Sequence, residues 1–200
     1  MNNIDRFFTS DPIAFADAYL EYLQSIVQRV DTAEIGRFIE TLLDARVRSA
    51  TVFVIGNGGS AATASHFAND IAVGTNEDKL PFRVVSLTDN IAAITAIAND
   101  FGYEHWVAKA LEAYADPGDL VILISSSGKS PNMLNGARQA KVMDLSLVTV
   151  SGFSADNPIR KLGDLNLWVD STAYNIVEMT HHVWLLAITD YLIATKEMDQ

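Results

Sequence analysis

One pattern occurs twice in this chain and constrains its fold more than any other feature. The apolar run Thr51-Val52-Phe53-Val54-Ile55 is followed by Gly56-Asn57-Gly58-Gly59-Ser60. The run Leu120-Val121-Ile122-Leu123-Ile124 is followed by Ser125-Ser126-Ser127-Gly128-Lys129-Ser130. Each run lacks polar alternation, as in a strand buried on both faces, and leads through a short Gly/Ser turn into a helical pattern. Strand, turn and helix in that order build a parallel sheet, with the turn at the strand's carboxyl end. Such a turn presents backbone N–H groups and hydroxyls at a helix N-terminus, a site for an anion and above all for a phosphate. Two of them in one small sheet predict a single pocket for a phosphorylated small molecule.

The rest of the chain repeats the alternation. Strands are expected over 51–55, 82–87, 120–124, 146–150 and, more weakly, 165–169. Helices are expected over 60–73, 90–98, 103–114, 131–143 and 174–195, and Asp116-Pro117-Gly118-Asp119 reads as a turn. Two helices precede the first strand. Asp11-Pro12 is an N-cap with proline at the first helical position, and Phe15, Tyr19, Tyr22, Ile26 and Val30 recur at helical spacing. Asp31-Thr32-Ala33-Glu34 reads as a capping box, opening a helix with Ile35, Phe38, Ile39, Leu42 and Leu43 on one face. These amphipathic helices must cover either the chain's own sheet or another subunit. The fold class is therefore α/β: a doubly wound parallel sheet in a flavodoxin-like three-layer arrangement, with two leading N-terminal helices and a long C-terminal helix.

Composition removes several function classes. The 14 basic and 25 acidic residues leave a net charge of −11, which argues against a nucleic-acid surface. Any phosphate is then held locally, by dipoles and hydroxyls, against an unfavourable overall field. With no cysteine, neither a disulfide nor a thiolate metal site is available. Residues 1–12 lack the basic and apolar regions of a signal peptide, and Asp190 interrupts the most apolar helix, so neither export nor a membrane span is expected. The cytoplasm is the default location.

Gly56-Asn57-Gly58-Gly59-Ser60-Ala61 also fits the dinucleotide fingerprint G-x-G-x-x-A. That fingerprint needs an acidic residue about 20 positions further on, and here Asp89 stands well beyond that point. The second loop says more. Ser125, Ser126, Ser127 and Ser130 place four hydroxyls beside Gly128 at a helix start. Helix capping accounts for one or two of them. A phosphate, with its several acceptor oxygens, accounts for all four. Lys129 adds a charge there or is simply solvated.

On these residues the chain resembles the SIS (sugar isomerase) domain, and within it the phosphoheptose isomerases, which act on sedoheptulose 7-phosphate. The likeness rests on Gly56-Asn57-Gly58-Gly59-Ser60-Ala61 with His66-Phe67-Ala68, on Ala96-Ile97-Ala98-Asn99-Asp100, and on Gly118-Asp119-Leu120 running into Ile124–Ser130. It covers nearly the whole chain, which then reads as one domain over 1–200, with 1–50 serving oligomer packing and 51–200 carrying the sheet and sugar-phosphate site. The resemblance implies a homotetramer with shared active sites. It implies that Ser125, Ser126, Ser127 and Ser130 hold the phosphate, that Asn57, Gly58, Gly59 and Ser60 meet the sugar, and that Asp89 is a substrate-contacting carboxylate.

The zinc-containing members of that family carry a His and a Glu on the helix after the first loop, and a Gln and a His on the last helix. Here His66 matches the first position and Asp70 the second. Val177 and Leu185 fall where the other two ligands would stand, so the resemblance leaves zinc open, with His66 and Asp70 as its candidate ligands. From spacing alone, His66 and Asp70 share a helix face, and so do Glu178 and His182, with His181 alongside. Asp70, Glu178, His182 and His66 are therefore the candidate acid–base groups. His105 reads as a surface residue, and Trp106 and Trp184 as core or subunit contacts. Two readings stand: an aldose–ketose isomerase of a heptose or related sugar phosphate, working through an enediol, and a non-catalytic SIS protein that binds a sugar phosphate or a partner protein as a regulator.

Overall fold

The structure, a computed structural model, describes residue 4, residues 7–77 and residues 79–195; the leading segment 1–12, read above for an export signal, falls partly outside that range. Helices α1 (Pro12–Val27) and α2 (Thr32–Val47) come first. Strand β1 (Thr51–Gly56) leads to α3 (Gly59–Gly74), and β2 (Arg83–Ser86) leads to α4 (Ile91–Phe101) and α5 (Trp106–Tyr114). Strand β3 (Leu120–Ser125) leads to α6 (Pro131–Val142). Then β4 (Ser146–Ser151) passes through a loop to β5 (Leu165–Trp168), and α7 (Tyr174–Ala194) follows.

All five strands are parallel, in the order β2-β1-β3-β4-β5. This is the doubly wound α/β sheet expected from the sequence. The order reverses at β1, whose neighbours are β2 on one side and β3 on the other. The connections leaving β1 and β3 turn to opposite faces of the sheet, so a crevice opens between their loops. The side chains show the two faces directly. Val52 and Val54 pack in a core with α2, α3 and α7, whereas Phe53 and Ile55 pack with α5 and α6. Burial on both faces explains why the strand runs carry no polar alternation.

The leading helices begin as read. Asp11 accepts a bond from the Ile13 N–H at 3.0 Å, and Asp31 accepts one from the Ala33 N–H at 2.9 Å. The capping box is only half made, because Glu34 pairs with Arg37 rather than returning to the cap. Phe38, Leu42 and Ala45 of α2 and Ile26 of α1 join the core of the chain's own sheet. Two expected elements are shorter than read. The helix expected over 103–114 is divided, since Gly102 ends α4 at φ +95 and a 3-10 turn spans Tyr103–His105 before α5. The strand expected over 82–87 is trimmed, because Leu87–Asp89 curl into another 3-10 turn. Trp106 and Trp184 are both core residues, and the Trp184 indole donates to the Val27 carbonyl at 3.1 Å. Among the described residues no helix is long and apolar enough to cross a membrane.

Asp119 ties the start of β1 to the turn before β3: its carboxylate accepts from the Thr51 N–H at 2.7 Å and the Asp116 N–H at 2.9 Å. Asp119→Ala strips both donors of that partner and is expected to cost about 1–3 kcal/mol of unfolding free energy in urea titration; an unchanged midpoint would show that water takes the carboxylate's place.

His181 is wholly buried, and its Nε2 lies 3.0 Å from the Ser151 carbonyl, where it can only donate. Its other ring nitrogen has no partner, which suits the neutral ring. Burial pushes it down from the ordinary 6.5 to about 4, against a smaller upward pull from the Ser151 carbonyl. Below the ordinary value the unfolded chain takes up the proton while the folded chain does not, so stability falls as pH drops from 6.5 toward 4. The full loss is on the order of 3 kcal/mol. His181→Gln keeps a donor toward Ser151 without the titration, and its stability is expected to fall less between neutral and mildly acidic pH than that of the unaltered chain. Equal slopes in the two proteins would refute the assignment.

Candidate functional site

The two Gly/Ser loops meet at the β1/β3 reversal. Asn57 and Ser60 from the first loop, and Ser125, Ser126, Ser127 and Ser130 from the second, line an open pocket of about 100 Å³. Ile124, Tyr174 and Glu178 complete its wall. Gly58 and Gly128 make the two turns, with φ of +55 and +64 in the region that side chains disfavour. Both helix starts are left open. Gly58 stands at the cap of α3, and Ser130 at the cap of α6 makes no side-chain capping bond. Only Ser127 bonds locally, accepting from the Lys129 N–H at 3.3 Å. The Ser126 hydroxyl is buried without a hydrogen-bond partner in the wall of the pocket. Buried polar atoms are normally paired, so an unpaired hydroxyl beside an open helix start marks a place for a polar ligand. Capping alone therefore does not account for the serines.

An amide pair joins the two loops. Asn57 and Asn132, near the start of α6, exchange two hydrogen bonds of 3.0 Å each, and the Tyr103 hydroxyl donates to Asn57 Oδ1 at 2.9 Å. Most of the Asn57 amide is thus engaged by protein. Asn132, Tyr103 and Tyr174 carry no local motif, and their roles emerge only when α5, α6 and α7 are folded onto the sheet.

Glu178 approaches the first loop closely. A Cβ on Gly59 would stand 2.1 Å from Glu178 Oε2, so a bare glycine is what admits the carboxylate. Burial raises the Glu178 carboxyl above its ordinary range. The Ser126 hydroxyl, near but outside hydrogen-bond geometry, partly offsets the rise.

Helical spacing separates the two adjacent histidines of α7. His181 faces β4 and is structural, whereas His182 faces α3. There a continuous chain of polar contacts runs between the helices. Asp70 Oδ2 lies 2.9 Å from His66 Nε2, His66 Nδ1 lies 3.1 Å from His182 Nε2, and His182 Nδ1 lies 3.3 Å from the Thr63 hydroxyl. One arrangement satisfies every contact with both rings neutral: Thr63 donates to His182, His182 to His66, and His66 to Asp70. Burial and then the facing His66 lower the His182 pKa, while Asp70 opposes them. His66, Asp70 and His182 do not line the serine pocket in this chain. They lie along the α3–α7 seam, with His182 one turn from Glu178. Asp89 is exposed and accepts from the Ser65 hydroxyl, away from the pocket lining.

Two of the four positions at which the zinc-containing relatives carry ligands are filled here by side chains that cannot bind a metal. Val177 and Leu185 are wholly buried in the core. The two nitrogens of His66 face different partners, and among the described residues no group of three or more His, Asp or Glu side chains is arranged to hold a metal.

Comparison with known proteins identifies the family and the fold. The SIS domain family model matches residues 15–152. The probable phosphoheptose isomerase of Thermoplasma acidophilum is 37% identical over 130 residues, covering 65% of this chain and 71% of that one. That of Thermoplasma volcanium is 30% identical over 163 residues, covering 82% and 83%. Among solved structures, the phosphoheptose isomerase of Neisseria gonorrhoeae superposes with a TM-score of 0.82 at 25% identity, over 90% of this chain and 96% of that one. The phosphoheptose isomerase of Francisella tularensis has the same fold, with a TM-score of 0.84 at 21% identity over 92% and 98%. The chain belongs to the SIS domain family, and the relatives just described are phosphoheptose isomerases or probable ones.

Proposed function

We propose that this chain interconverts the aldose and ketose forms of a sugar phosphate, with a heptose phosphate such as sedoheptulose 7-phosphate as substrate. The observation that carries this reading is the meeting of a half-buried carboxylate, Glu178, with the four-serine loop in one pocket. Ser125, Ser126, Ser127 and Ser130 hold the phosphate at the open start of α6. Asn57 and Ser60, with the Gly58-Gly59 backbone, meet the sugar hydroxyls. Binding of the remote phosphate fixes the reacting carbons and lowers the entropic part of the barrier.

The reaction moves one proton between C1 and C2 through an enediol. Glu178 takes the proton as carboxylate and returns it to the neighbouring carbon, a task suited to a base whose pKa is lifted toward neutrality. His182, one turn further along α7, joins Thr63, His66 and Asp70 of α3 in a chain outside the pocket lining. In this reading a neighbouring subunit extends the pocket over that seam, and the chain then serves as the acid–base partner, passing a proton along its length by exchanging tautomers. The reading also places the chain in the cytoplasm as a homotetramer. Large apolar side chains left exposed in the single chain support that assembly, among them Ile13 and Leu20 on α1, Ile91 and Phe101 on α4, and Met179 and Val183 on α7. The pocket's 100 Å³ points the same way. A small-molecule site spans about 300–1,000 Å³, so a neighbouring subunit is expected to close the sugar end, and Asp89 then acts from the rim.

Isomerisation of sedoheptulose 7-phosphate, with exchange of the C2 proton into solvent, tests this. Glu178→Gln is expected to lower kcat by about a hundredfold or more. In the unaltered chain, activity should fall with acid at a pH above the ordinary carboxylate range, because protonation removes the base. Binding of the sugar phosphate by the unaltered chain with neither exchange nor turnover would instead favour the regulator reading.

A further inference from the structure

We infer that Asn157 is the positioning residue that holds the second serine loop in its anion-binding shape; this rests on the sugar-phosphate reading of the pocket and extends it to a residue outside the pocket. Asn157 lies in the loop between β4 and β5 and is 1% exposed. Its side-chain nitrogen shares two N–H groups among three acceptors: Ser151 Oγ at 3.1 Å, the Gly152 carbonyl at 3.1 Å and the Ser154 carbonyl at 2.9 Å. Its side-chain oxygen accepts from the Arg160 N–H at 3.1 Å. One amide thus braces the loop from 151 to 160. That loop needs bracing, since Phe153 sits at φ +59, a conformation that a bulky side chain rarely adopts.

The braced loop in turn grips the serine loop. The Gly152 N–H donates to the Ser126 carbonyl at 3.0 Å, and the Ile159 N–H donates to the Gly128 carbonyl at 3.2 Å. A peptide unit is planar and trans, so its C=O and N–H point opposite ways. Drawing the Ser126 and Gly128 carbonyls toward the β4–β5 loop therefore turns the N–H groups of Ser127 and Lys129 away from it. The Lys129 N–H is found on that opposite side, 3.3 Å from the pocket-lining hydroxyl of Ser127. Asn157 also presses on the turn itself. A Cβ on Gly128 would stand 2.1 Å from Asn157 Oδ1, so this glycine is required by the asparagine as well as by its own φ of +64.

Asn157 does not line the pocket, so its loss is expected to weaken the phosphate grip and leave the proton step intact. Asn157→Asp keeps the shape and the acceptor for Arg160 but replaces the donor with an oxygen facing carbonyl groups. The experiment measures the Kd of inorganic phosphate by calorimetry, and KM and kcat for sedoheptulose 7-phosphate, in the unaltered chain and in Asn157→Asp. Both Kd and KM are expected to rise about tenfold or more, with kcat held within about threefold. Gly128→Ala, which pushes on the same contact from the other side, is expected to give the same KM-led loss. Unchanged Kd and KM in Asn157→Asp, or a loss confined to kcat, would overturn the role of Asn157. An unaltered chain that binds neither inorganic phosphate nor the sugar phosphate would instead overturn the reading of the pocket itself.

Discussion

Everything at the site depends on the reversal of strand order at β1. A parallel strand delivers its next loop at one end of the sheet, and β1 and β3 are hydrogen-bonded neighbours with the register Val54–Ile122 and Gly56–Ile124. Because α3 covers one face and α6 the other, the loops after these two strands part rather than stack. The space between them is therefore fixed by topology before any functional side chain is chosen. What the sequence adds is lining: glycines where the backbone turns or a carboxylate comes close, and serines where a ligand needs donors.

A chain of net charge −11 has few cations to spend on an anion. The site substitutes dipoles. On the sugar-phosphate reading, two open helix starts, a buried unpaired hydroxyl and turned-in peptide groups supply the positive ends, at short range and in a partly dry setting where they act strongly. The same dryness lifts Glu178 and lowers His182. Burial thus moves the two kinds of group toward each other on the pH scale, which eases proton exchange between a carboxyl and an imidazole.

Much of this was legible in the order of residues, and the reason is local. Non-alternating runs such as Leu120–Ile124 allow only a strand buried on both faces, and Gly/Ser turns after such strands in a parallel sheet gather at one edge. The pocket composition followed from that. The failures are equally physical. The sequence shows His181 and His182 side by side, but a helix turns roughly 100° per residue, so one ring is sealed against Ser151 while the other reaches His66. The contact with His66 joins residues 116 positions apart, and nothing in either neighbourhood announces it. Asn132, Tyr103 and Asn157 escaped for the same reason: an amide or a phenol acquires its role from whichever backbone folds against it. The 3-10 turn at Leu87–Asp89 brings Asp89 to the Ser65 hydroxyl, a contact that no local pattern announces.

The amide pair between Asn57 and Asn132 has a consequence for how such a protein can diversify. It fastens the two loops together, so on the sugar-phosphate reading they behave as one anchor, indifferent to what the phosphoryl group is attached to. On that reading, discrimination among sugars is left to the periphery, where Tyr174 forms part of the pocket wall. Exchanging the Tyr174 ring, which makes no hydrogen bond to either amide, offers a route to new substrates that leaves the anchor undisturbed.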